Sequence, residues 1–181
     1  MRKFKKFNSF DKEELRAAVN VIKSGNLSNF LGEYSKEFYG GLKVREFEKK
    51  CKSFFKVKHA ITVNSWTSGL ICAVGALDIN PGDEIILPPW TMSACASAIL
   101  NWNAIPVFAD IDKTTFNIDP ADVLRKISKK TKAIMAVDIF GHPCNIMELK
   151  KISLKYDLKL ITDSAQSPYS FYKKKIAGTM S

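Results

Sequence analysis

Residues 158–167, LKLITDSAQS, carry an apolar run of buried-strand character into a carboxylate, Asp163, and an amide, Gln166. Charge at such a point has a physical use, because open α/β sheets bind ligands beyond the carboxyl ends of their strands. A capping or loop-bonded aspartate explains the residue equally well. A second polar strand end, Asn64-Ser65-Trp66-Thr67-Ser68-Gly69, leads straight into a helical pattern. The hydroxyls of Thr67 and Ser68, with the open amides of a helix start, suit an anion such as phosphate. Ordinary capping by Ser65 or Thr67 is the alternative. Between the two lies PPWTM, with Trp90 and Met92.

A hydroxyl-rich helix start, a strand-end carboxylate and an aromatic or thioether segment match the three needs of pyridoxal phosphate. Its phosphate wants N–H and O–H donors, its ring a packing partner, and its pyridinium nitrogen an anion that keeps it protonated. Neither a GxGxxG dinucleotide loop nor a GxxxxGK[ST] phosphate loop occurs, which argues against dinucleotide dehydrogenases and P-loop NTPases.

The elements that must position these residues alternate. Asp11 and Glu14 form a capping-box pattern ahead of Leu15, Val19 and Ile22 at helical spacing, ending at Gly25. Residues 26–41 have no sustained period and carry Phe30, Tyr34, Phe38 and Tyr39, which suit core packing, a partner surface or a site wall. From Val44 the pattern predicts helix 44–55, strand 59–63, helix 66–77, strand 84–87, helix 91–100 and strand 106–109. Helix 120–128, strand 132–137, helix 146–156 and strand 158–162 follow. Such alternation implies an α/β fold with a mostly parallel sheet and helices on both faces.

The 181 residues carry a formal charge of +10, yet residues 60–122 hold one basic residue, Lys113, against seven acids. The lysines crowd into helical segments such as 44–56 and 122–130 and read as solvated outer faces. With no basic patch interleaved with aromatics, no nucleic-acid partner is expected. Cys51, Cys72, Cys95 and Cys144 are widely spaced, without a CxxC pair and with only His59 and His142 as companions, so packed thiols are expected and no metal site. The basic start runs into Asp11, Glu13 and Glu14 without an apolar region, and no run is long enough to span a membrane. A cytoplasmic location follows as the expectation.

The ordered segments VREFE (44–48), NSWTSGL (64–70), PGDEIILPPWT (81–91), IPVFADID (105–112), FNIDP (116–120), TKAIMAVDIFG (131–141) and TDSAQS (162–167) resemble the DegT/DnrJ/EryC1/StrS family of pyridoxal-phosphate-dependent sugar aminotransferases. The resemblance implies the aspartate-aminotransferase-like transferase fold type I. It divides the chain into a helix and arm at 1–41 and part of a cofactor-binding large domain at 42–181, without a small C-terminal domain. It implies that Asp163 pairs with the pyridinium nitrogen, Gln166 approaches the phenolic oxygen, and Thr67 and Ser68 hold phosphate. Met92, with Trp90 two positions earlier, falls where the family stacks an aromatic on the cofactor ring. Trp66 replaces the usual glycine, narrowing the pocket or marking a subfamily. Lys173, Lys174 and Lys175 resemble a surface turn before Gly178, and the Schiff-base lysine is expected beyond Ser181, so the 181 residues alone are expected to be inactive. The implied reaction moves an amino group from glutamate or glutamine to a nucleotide-linked keto sugar in glycan or antibiotic-sugar biosynthesis, with the full-length protein a homodimer. A sugar dehydratase of the same family and a noncatalytic binding module are the alternatives.

Overall fold

The computed structural model describes residues 7–27 and 29–181. Two compact units divide after Ala60. The first holds α1 (Lys12–Ser24) and α2 (Leu42–Phe55). The capping box forms as the sequence predicts: Glu13 N–H donates to Asp11 Oδ1 and Asp11 N–H to Glu14 Oε2, both at 2.9 Å. Gly25 ends α1 at φ 71°, a left-handed cap that glycine adopts without a Cβ clash. Tyr34, Phe38 and Tyr39 pack on one another, with ring centroids 5.3–6.3 Å apart, and remain exposed.

The second unit, Ile61–Ser181, is built on a sheet of order β2-β1-β3-β4. Its elements are α3 (Trp66–Gly75), β1 (Glu84–Leu87), α4 (Ser93–Leu100), β2 (Ile105–Phe108), α5 (Pro120–Lys126), β3 (Thr131–Val137), α6 (Ile146–Lys155) and β4 (Lys159–Asp163). All pairings among these strands are parallel. A two-stranded hairpin, β5 (Phe171–Tyr172) and β6 (Lys175–Ile176), follows; it turns at Lys173 and Lys174, within the surface turn that the family resemblance implies, while Lys175 belongs to β6.

Alternate side chains of each strand enter different cores. Ile85, Leu87, Ala133, Met135 and Val137 pack with Leu70, Val74, Cys95 and Ile99 of α3 and α4. Ile86, Ile134 and Ala136 pack with Val123, Leu149 and Ile152 of α5 and α6. Both faces are therefore covered, which is why β1 and β3 read as continuous apolar runs. Each fully buried Ile or Leu contributes about 1.5–3 kcal/mol of transfer free energy. Pro106, which has no N–H to give a ladder, sits on the edge strand β2.

The expected strand at 59–63 is corrected: those residues take no regular structure. Alternation alone does not make a strand; a ladder partner does, and the sheet order offers this segment no neighbour. Ile61 and Val63, the apolar residues that suggested it, are exposed.

Candidate functional site

The parallel register brings the carboxyl ends of the strands to one edge, with Leu87 beside Phe108 and Val137 beside Asp163. Asp138 N–H extends the ladder one step by donating to Asp163 O at 2.9 Å. The loops that carry Trp90, Phe116, Phe140 and Gln166 all leave from this edge.

Asp163 is the last residue of β4 and only 5% exposed. A buried carboxylate needs donors, and it has three. Trp66 Nε1 donates to Oδ1 at 2.6 Å, Ala165 N–H to Oδ1 at 3.1 Å, and the Cys95 thiol to Oδ2 at 3.2 Å. Cys95 in turn lies 3.1 Å from Thr91 Oγ1. Burial pushes the Cys95 thiol up to about 12, so it keeps its proton and serves as a donor.

Trp66 opens α3, whose N-cap is Ser65. Ser65 Oγ accepts Ser68 N–H at 3.2 Å and lies 3.1 Å from Ser68 Oγ. Ser65 therefore does the capping, while Thr67 is exposed on the same turn. The indole lies along its own helix over Gly69, where an added Cβ would come within 2.8 Å of Trp66 Cε3.

Gln166 is exposed in the loop after β4, its Oε1 accepting Phe140 N–H at 2.7 Å. Phe140, Phe116 and Trp90 form an exposed aromatic cluster with centroids 6.1–6.5 Å apart. Phe116 and Phe140 hold left-handed backbones, φ 61° and 55°, which cost a bulky residue about 1–2 kcal/mol each. Buried Asn117 offsets this cost by clamping the turn: its Nδ2 donates to His142 O at 2.9 Å and its Oδ1 accepts Ile139 N–H at 3.1 Å.

Of the sequence-derived residues, Trp66 and Asp163 are joined directly, and Gln166 and Trp90 both meet Phe140. Met92 stands at the N-cap of α4, one turn before Cys95, and is 69% exposed. Sequence reasoning missed Cys95, Asp138 and Phe140. Asp138 carried the signal that exposed Asp163, an apolar run ending on a carboxylate. Thr91 lies just ahead of α4, outside the helix, and its hydroxyl meets the thiol of Cys95 on the first turn. Among the described residues no group of three or more His, Cys, Asp or Glu could hold a metal ion, and no helix is long and apolar enough to cross a membrane.

The DegT/DnrJ/EryC1/StrS aminotransferase family model matches residues 8–181. The spore coat polysaccharide biosynthesis protein SpsC of Bacillus subtilis is 36% identical over 169 residues, 93% of this chain and 41% of its own length. GDP-perosamine synthase of Vibrio cholerae is 38% identical over 171 residues, 94% and 44% of the two chains. The chain thus spans about two fifths of these curated relatives. The crystal structure of an aminotransferase from Psychrobacter cryohalolentis superposes with a TM-score of 0.82 at 33% identity, over 91% of this chain and 40% of that one. The parallel sheet with helices on both faces is that of pyridoxal-phosphate-dependent aminotransferases of fold type I. On this sequence match and this shared fold, the chain belongs to the DegT/DnrJ/EryC1/StrS aminotransferase family.

Proposed function

We propose that this chain supplies the cofactor-binding part of a pyridoxal-phosphate-dependent aminotransferase of the nucleotide-sugar type. Its substrates would be glutamate or glutamine as amino donor and a nucleotide-linked keto sugar as acceptor, in glycan or antibiotic-sugar biosynthesis. The reading includes a cytoplasmic location and a full-length homodimer. Family membership supports the reaction class, and one observation carries the cofactor. Buried Asp163 already accepts an N–H from the edge of an aromatic ring, at 2.6 Å. A carboxylate placed to take a flat ring's N–H fits the protonated nitrogen of pyridoxal phosphate, where charge on both partners strengthens the bond.

The other roles follow from the residues around it. Thr67 and Ser68, with the start of α3, would hold the phosphate. Exposed Trp90 and Met92 offer an aromatic and a thioether surface for the ring, and Trp66 would line the same site. Gln166 has its Oε1 committed to Phe140 N–H, so its free donor is Nε2, the group that a phenolic oxygen needs. Cys95 orients the carboxylate through Oδ2. When bound, pyridoxal phosphate supplies an electron sink, and the charge of Asp163 keeps its ring nitrogen protonated.

Pyridoxamine 5′-phosphate needs no covalent anchor and isolates this pocket from the rest of the reaction. Titrated into the 181-residue chain and followed by its own fluorescence, it is expected to bind saturably. Asp163→Asn is expected to weaken binding about ten- to a hundredfold, the worth of a charge-assisted hydrogen bond. No binding by the unaltered chain, or equal binding by the variant, would refute the reading.

A further inference from the structure

The geometry points to Trp66 as a specificity-determining residue of the pocket. Its indole occupies the ring-N–H position on Asp163 Oδ1, which already accepts a second donor, and must swing away before the ring nitrogen of the cofactor can take that oxygen. The inference rests on the function proposed above.

Both carboxylate oxygens are engaged, Oδ1 by Trp66 and Ala165 and Oδ2 by Cys95. Ala165 donates through the backbone, and Cys95 is fully buried and also bonded to Thr91. Trp66 is 46% exposed and sits on the first turn of α3. Of the three donors it alone can leave into solvent without breaking the core. Gly69 provides its seat, because a methyl group there would displace the indole.

The contact does two things. It keeps a buried carboxylate paired, which avoids the cost of an orphaned charge. It also makes entry a competition, in which apparent affinity falls by the fraction of chains with the indole still seated. A cationic ring N–H bonds a carboxylate more strongly than a neutral indole does, so a pyridinium displaces Trp66. A flat ring without that charged donor does not, and the pocket thereby selects its ligand.

The test uses the 181-residue chain and pyridoxamine 5′-phosphate. Its first readout is the ¹H–¹⁵N resonance of the Trp66 indole, assigned by its loss in Trp66→Phe. Before ligand is added, Asp163→Asn is expected to move this resonance upfield, and saturating pyridoxamine 5′-phosphate is expected to move it likewise. The second readout is affinity. Trp66→Phe removes the donor and keeps the bulk, and Gly69→Ala unseats the indole and keeps the donor. Each is expected to bind about tenfold more tightly than the unaltered chain, with faster association. If the unaltered chain binds with its Trp66 resonance unmoved, or if both variants bind equally or less tightly, the role of Trp66 is overturned while the cofactor reading stands. If neither the unaltered chain nor any variant binds, both fail.

Discussion

Asp138, just beyond β3, holds Ser164, just beyond β4: Ser164 Oγ donates to Asp138 Oδ2 at 2.6 Å. Ser167 Oγ reaches the same oxygen at 3.2 Å, and Cys144 N–H donates to Oδ1 at 2.8 Å. One buried side chain thus ties down both ends of the 164–167 turn that carries Gln166, together with the approach to α6.

Removing that carboxylate leaves a backbone N–H and two hydroxyls without their acceptor, and the penalty for stranding buried donors exceeds the net worth of the bonds. Asp138→Ala is expected to lower the free energy of unfolding by about 3 kcal/mol, in the range for breaking a buried charged network. Urea denaturation measures the loss. Amide hydrogen exchange at Gln166 and Ser167 should quicken more than exchange in β1, because the turn loses its anchor while the sheet keeps its cores. A loss below about 0.5 kcal/mol would mean that the network carries no load.

The buried thiols give a pH dependence with a definite sign. Burial pushes Cys95 up to about 12 from a usual 9.0, and burial likewise raises Cys144, with Asp138 adding to it. The native state therefore retains thiol protons that the unfolded chain releases above about 9. Their contribution to stability is complete below that pH and is lost as pH rises toward about 12. Melting temperatures of the unaltered chain and of Cys95→Ser, measured from pH 7 to 11, should converge as pH rises. In the native state at pH 8, a thiol reagent should modify exposed Cys72 and spare Cys95 and Cys144 until denaturant is added. Fast labelling of Cys95 would show that the core beneath Asp163 opens.

Much of this was legible from local pattern. The Asp11 and Glu14 capping box, Asp119 followed by Pro120 at the head of α5, and the apolar runs of β1, β3 and β4 each announce themselves within a few residues. Asp163 stood out because a charge ended such a run. What sequence did not reveal is what touches it, since Trp66 lies 97 positions away and Cys95 lies 68. Spacing along the chain carries no trace of contacts made by folding a parallel sheet. Residues 59–63 failed for the same reason, because their strand character depended on a neighbour elsewhere in the chain.

Gln166 separates holding the loop from holding the ligand. A backbone N–H only donates, so the atom facing Phe140 N–H must be Oε1, and Nε2 remains the free donor. Gln166→Glu keeps an acceptor for Phe140 and, on an exposed side chain, pays little for its charge. Its stability is expected to stay within about 0.5 kcal/mol of the unaltered chain. Its affinity for pyridoxamine 5′-phosphate should fall about tenfold, because a carboxylate replaces the donor facing the phenolic oxygen. Gln166→Ala removes both functions, and with Phe140 already in a left-handed backbone, stability should drop by about 1 kcal/mol as well. Calorimetric unfolding and ligand titration of the two variants therefore give different pairs of numbers. Unchanged affinity in Gln166→Glu would reduce Gln166 to a tether for Phe140, and a large stability loss in that variant would mean that Phe140 depends on the amide itself.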